Sequence, residues 1–266
     1  MAIFFFVPLC ALFAYSLGNT TIVDVSVGTD PHNYVRAFTD SFYLHLFGRA
    51  IVNGLLVGMS CVLLGYPFAY AITLGPLRRR GELLLLWMIV SLFASYIVRV
   101  YAWRTLLGSS GVLNTAIGYA GIGPVNFLLF NRPAVVLTLV NVLVPLAVLP
   151  IYSALHQVDP SLLEAARDQG ATARQAFQKV VLPLSQRGLT AGFALCFVLA
   201  AGDYVTPQLV GGVSGQQIGN VIADNFGVAF NWPLGAALSF VLISFMGIVV
   251  ALWVVAPKLL RLGRQA

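Results

Sequence analysis

Asp203 and Arg99 are the first positions to suggest chemistry, because each falls in a long apolar run where an ionised group is costly and points to function. A carboxylate there can receive an ammonium group, and the ring faces of Tyr204, Tyr96 and Tyr101 attract the same cation through their quadrupoles. The competing reading is structural: Arg99 and Asp203 lie similarly far along their runs, so the two can pair, or Asp203 can pack at a helix end. Catalysis has weaker support. No nucleophile, base and orienting group come together in the pattern, and His32, His45 and His156 are too dispersed for a metal site. Cys10, Cys61 and Cys196 lie inside apolar runs without metal or redox spacing and read as small packing residues.

A second group lies in a polar loop, residues 157–187. Asp159 has the chemistry of an N-cap, Pro160 suits the first helical position, and Gly170 can take the left-handed conformation that stops a helix. Between them Leu162, Leu163 and Ala166 share one face, and Glu164, Arg167 and Asp168 largely share the other. The small residues Ala165, Ala166 and Gly170 permit close approach of another surface, while the charges give orientation. Such a helix either docks on a partner or packs on its own protein.

The elements that position these residues follow from composition. Of 266 residues, 59% are hydrophobic and 9% are charged, against roughly 25% charged in a soluble domain. Apolar runs near 1–18, 47–74, 83–107, 133–155, 188–207 and 233–256 are of a length to cross a hydrocarbon core about 30 Å thick. Backbone groups in lipid must be satisfied internally, and the ten-residue alternation of a barrel is missing, so the runs are expected to be helices. The fold class is therefore an all-α integral membrane protein, a single domain over 1–266 with six transmembrane helices. The first run has neither a basic n-region nor a cleavage pattern and reads as a retained span; its shortness leaves room for a native extension before Met1.

Net charge is +6, but the basic residues form short clusters between apolar runs, which signals topology and argues against a nucleic-acid partner. Arg78, Arg79 and Arg80, then Arg167, Arg174, Lys179 and Arg187, then Lys258, Arg261 and Arg264 mark three cytoplasmic regions. The opposite loops hold Arg36 and Arg132 with Asp24, Asp30, Asp40 and Asp224, and both termini fall on the cytoplasmic side. Tyr43 and Trp232 are placed to anchor at the outer interface. The segment 208–231 reads as an outer loop, within which Ile218 to Phe226 can form a short returning helix.

Glu164-Ala165-Ala166, Gly170, Val180, Leu182 and Pro183 resemble the cytoplasmic signature of binding-protein-dependent importer permeases, with Val180 in place of the usual Ile. The resemblance implies a type I ABC importer permease fold in which Asp159 to Gly170 is the coupling helix, seated in an ATPase subunit with Leu162, Leu163, Leu182 and Pro183. It implies as partners an ABC ATPase dimer, a second and distinct transmembrane permease, a periplasmic or lipid-anchored solute-binding protein and membrane lipid, in the bacterial inner membrane. There is no Gly-x4-Gly-Lys-Ser/Thr phosphate loop, so this chain is expected to bind no cofactor and to leave ATP and magnesium to the ATPase. Gly202 to Pro207, Leu209 to Gly212, Ile218 to Val221 and Trp232-Pro233 resemble spermidine/putrescine permeases most, which implies a polyamine or similar small solute. The alternative is an ion- or proton-driven secondary transporter, which would want more intramembrane ionisable groups and an internal repeat.

Overall fold

Apolar surroundings leave the backbone few partners beyond its own carbonyls, and the chain responds with helix almost throughout. A computed structural model describes residues 2–20, 25–119 and 128–262. Asp24 and Arg264, both used above to orient the chain, lie outside the described residues. In chain order the elements are α1 (Ala2–Ser16), a two-stranded antiparallel ribbon of β1 (Asn19–Thr20) and β2 (Val25–Ser26), α2 (His32–Thr39) and α3 (Ser41–Thr73). A 3-10 turn at Arg78–Arg80 leads into α4 (Gly81–Leu92), α5 (Tyr96–Leu107), α6 (Val112–Tyr119) and α7 (Arg132–His156). The polar loop holds α8 (Pro160–Asp168) and α9 (Ala173–Ala176), then a π-helical turn at Phe177–Val181 and α10 (Leu182–Leu184). It is followed by α11 (Gln186–Ala201), a second π-helical turn at Pro207–Gly211, α12 (Ile218–Gly227) and α13 (Trp232–Leu262).

Among the described residues, Ser41–Thr73, Arg132–His156 and Trp232–Val255 are long and apolar enough to cross a membrane unaided. Two further candidates are bent: Arg78–Leu92 meets Tyr96–Tyr119 at 91°, and Ala173–Leu184 meets Gln186–Ala201 at 63°. The expected span 83–107 is thus broken, because Ser95 is extended (φ −53, ψ 133) and starts a new helix. The expected span 188–207 also ends early, at Ala201.

The chain forms two compact units. One comprises residues 1–53, 130–132 and 201–266, the other 54–129 and 133–200. In the first unit aromatic edges join the helices: Phe13 meets Phe240 at 5.4 Å, and Phe245 meets Phe47 at 5.5 Å and Phe38 at 6.2 Å. Asn33 on α2 donates to the carbonyls of Ser16 and Gly18, fixing the turn that leaves α1. Tyr43 is only 6% exposed, with the Arg36 guanidinium 5.9 Å over its ring, so it belongs to this packing rather than to a headgroup anchor. Trp232, 43% exposed at the start of α13, remains available to an interface.

The second unit is built around α7, whose buried residues include Leu139, Ala147, Val148, Ile151 and Leu155. Gly188 lets α11 press on it: an added Cβ would lie 2.5 Å from the Pro150 carbonyl oxygen and 2.6 Å from Ala154 Cβ. α7 continues through Pro145 and Pro150. Pro145 withholds one helical N–H, and the carbonyls just before it take side-chain donors from three other helices. Arg99 Nη1 on α5 donates to Val142 at 3.1 Å, and the thiols of Cys61 on α3 and Cys196 on α11 point to Val140 at 3.7 Å and Leu143 at 3.4 Å.

Candidate functional site

The loop helix is closed chemically at both ends. Asp159 Oδ1 accepts the Ser161 N–H at 2.9 Å, and Pro160 supplies a first position that needs no partner for its nitrogen. Hydrogen bonding from Ser161, its backbone N–H first and its side chain second, holds the Asp159 carboxyl below its ordinary value. At the other end Gly170 adopts φ +82, its N–H bonding to Arg167 at 2.8 Å, while the Ala171 N–H bonds to Ala166 at 3.0 Å. This paired Schellman arrangement requires a left-handed residue. No residue of α8 is buried. Leu163 and Ala166 are half-buried, whereas Leu162 is 46% exposed and Glu164, Ala165 and Arg167 face outward. The expected apolar face is therefore split, with Leu162 among the outward residues.

What holds this helix to the rest of its unit is an elbow. Thr172 caps α9 with a reciprocal bond from Gln175, its N–H donating to Gln175 Oε1 at 2.9 Å. Phe177 in the π-helical turn meets the edges of Tyr66 at 5.8 Å and Tyr70 at 5.5 Å on α3. Leu182 and Pro183 follow, both exposed, and the chain then bends at Ser185. Buried Ser185 Oγ donates to the Val181 carbonyl at 2.8 Å and shares a 2.9 Å hydrogen bond with the Tyr66 hydroxyl. The loop is thereby joined to α3 and α11 at one point.

The other sequence-derived site residues fall in two groups, one in each unit. Asp203 and Tyr204 follow the end of α11. Asp203 is half-buried, and its two carboxylate oxygens accept the N–H groups of Val205 at 3.2 Å and Thr206 at 3.1 Å, so it caps the next helical turn. It lies between helices, not within a continuous span as expected, because Gly202 and Asp203 end one helix and begin another. Tyr204 is 46% exposed; its carbonyl accepts from Asn220 Nδ2 at 2.9 Å, tying it to α12. In the other unit, Tyr96, Arg99 and Tyr101 share α5. Arg99 is half-buried and bonded to α7 as above, and Arg104 lies 6.0 Å over the Tyr101 ring.

Residues 46–256 match the family described as the binding-protein-dependent transport system inner membrane component. The chain belongs to that family. It is 35% identical over 231 residues to the spermidine/putrescine transport system permease protein PotB of Escherichia coli (strain K12), covering 86% of this chain and 83% of that protein. It is 32% identical over 241 residues to the inner membrane ABC transporter permease protein YdcU of the same strain, covering 86% and 75%. Among solved structures, a bacterial alginate ABC transporter in complex with alginate pentasaccharide-bound periplasmic protein shares the fold. The TM-score is 0.67 at 18% identity, over 95% of this chain and 88% of that one.

This importer permease is therefore a multi-pass inner-membrane protein of a system supplied by a binding protein. Two parts of its loop escaped sequence reasoning. The Thr172 cap was signalled by Thr-x-x-Gln ahead of an apolar stretch. The Tyr66, Phe177 and Ser185 cluster had no local signal, because its members are distant in sequence and meet only on folding.

Proposed function

We propose that this permease is one of two transmembrane subunits of an ATP-driven importer for polyamines or a similar small cationic solute, with α8 as the coupling helix. The observation that carries the reading is α8 itself: capped at both ends, without a buried residue, and bearing Glu164-Ala165-Ala166 and Gly170 at the spacing of the importer signature. A helix so completely closed yet so little covered is suited to seating in another protein's cleft. In this reading the partner is a separate ATPase dimer that binds ATP and magnesium, and its motion enters through the elbow at Phe177 and Ser185. The second permease is a distinct homologue, and six crossings of the membrane leave both termini on the cytoplasmic side.

The polyamine assignment draws on the likeness to PotB. Tyr204 and Tyr96 serve as aromatic surfaces along the route, while Tyr101 already carries a guanidinium over its ring. Arg99 and Asp203, both bonded to main chain, act as positioning groups. A gradient-driven transporter would use ionisable groups within its spans; the capped loop helix favours an external energy source.

The test is copurification of the ATPase with the permease. Glu164→Ala should reduce the retained ATPase and the ATP-dependent uptake together, and deletion of 159–170 should abolish both. Unchanged ATPase binding after that deletion would remove the coupling assignment.

A further inference from the structure

Two adjoining cavities in the first unit share Tyr204 and Ala223 and differ in chemistry. One, of about 300 Å³, is lined by Gln208, Gln216, Asn220 and Asp224 as well as Tyr204. The other, of about 540 Å³, is lined chiefly by Gly202, Gly219, Ile222, Phe226 and Leu242. Asp224 is the single charged side chain among the residues lining the pair. Its side chain is exposed, and among the described residues no donor reaches its carboxylate. Asp203, which the sequence offered either as a cation's partner or as a structural group, lines neither cavity and has both oxygens occupied.

The arrangement around Asp224 is held from several sides. Asn220 donates to the Tyr204 carbonyl at 2.9 Å and accepts the Gln217 N–H at 3.1 Å, so one amide fixes the tyrosine segment against the first turn of α12. Gly219 permits the close approach: a Cβ there would lie 3.0 Å from the Asp203 carbonyl oxygen and 3.3 Å from Tyr204 Cβ. Asp224 stands one turn further along α12, near its C-terminal end, where the helix dipole also favours a cation.

We propose that Asp224 and the Tyr204 ring form a subsite for one ammonium group of the solute, with the adjoining apolar cavity receiving the methylene chain that follows it. A linear polyamine alternates cationic nitrogens with short hydrocarbon runs, and the polar and apolar cavities repeat that alternation. A carboxylate supplies the charge, the ring face supplies a quadrupole, and Gln208 and Gln216 supply acceptor oxygens for the remaining N–H donors. Anionic solutes are repelled by the same carboxylate. This inference rests on the polyamine reading above.

The test uses the whole importer, with its binding protein, second permease and ATPase, reconstituted in vesicles and assayed for ATP-dependent putrescine and spermidine uptake. Asp224→Asn should raise KM about tenfold, the equivalent of one charged contact, with a smaller change in kcat, and Asp224→Glu should recover most of the loss. Asp224→Cys, made in a Cys10→Ser background, should be modified by a cationic methanethiosulfonate reagent and protected by putrescine. Uptake by the wild type with an unaltered KM in Asp224→Asn, or modification of Cys at 224 that putrescine does not slow, overturns the subsite and leaves the polyamine reading standing. Absence of polyamine uptake by the wild-type assembly removes both.

Discussion

α8 and α12 are nearly equal in length, 9 and 10 residues, and both begin at a polar cap, yet their surroundings are opposite. α8 starts from exposed Asp159 and buries nothing, whereas α12 starts from fully buried Gln217 and buries Ile218, Gly219, Asn220 and Asn225. The first owes its shape to hydrogen bonds at its own ends, since a helix this short is marginal in water without help. The second is held by packing and by the Asn220 bond to the preceding segment. A helix shaped by its caps can be seated elsewhere without unpacking its own protein. One shaped by burial can only form a wall.

If this contrast is right, damage should separate along the same line. The largest effect is expected in the packed helices: Gly188→Val forces a side chain onto the Pro150 carbonyl and Ala154, at or beyond the roughly 1–3 kcal/mol typical of overpacked cores. Thermal unfolding of the detergent-solubilised permease should fall sharply for this variant, and an unchanged midpoint would contradict the close α7 and α11 contact. A smaller and more selective effect is expected at Gly170, where no atom lies within 4 Å of an added Cβ but φ is +82. Gly170→Val meets no clash and costs about 1–2 kcal/mol through the left-handed backbone alone. ATPase retention should fall several-fold while the unfolding midpoint stays near that of the wild type. Equal loss of both would mean that α8 is packed like α12.

The smallest effect concerns the cap. The Asp159 carboxyl sits below its ordinary value, so its bond to Ser161 is fully present above the unfolded-state value and is lost only as pH falls through the lower folded-state one. ATPase retention should therefore show no Asp159-dependent change between pH 8 and 5. Asp159→Asn, which preserves an acceptor, should bind as the wild type does, and Asp159→Ala should bind less well at every pH. A pH response in this range that disappears in Asp159→Asn would refute the assignment.

Sequence reading succeeded where local chemistry decides and failed where backbone direction does. The start of α8 at Asp159 and Pro160 and its stop at Gly170 are written in three residues whose preferences do not depend on the rest of the fold. The break at Ser95 lies in a stretch that hydropathy treats as uniform, because apolarity reports the solvent and says nothing of where the helix turns. Asp203 was placed within a span for a related reason, since a hydropathy window counts Gly202 to Pro207 with the apolar run; the alternative reading, packing at a helix end, is the one its two backbone bonds match. Asp224 falls in the stretch Ile218 to Phe226 that the sequence allows as a short returning helix and is found in α12, but its neighbourhood with Tyr204 joins residues twenty apart and had no local signal.

The three donors converging on α7 ahead of Pro145 carry a mechanical consequence. With α3, α5 and α11 each fastened to one stretch of a single helix, that bundle has little freedom to shear internally. Under the proposed coupling, a push received through Phe177 is felt by α3, α5, α7 and α11 together and not by one rod flexing alone.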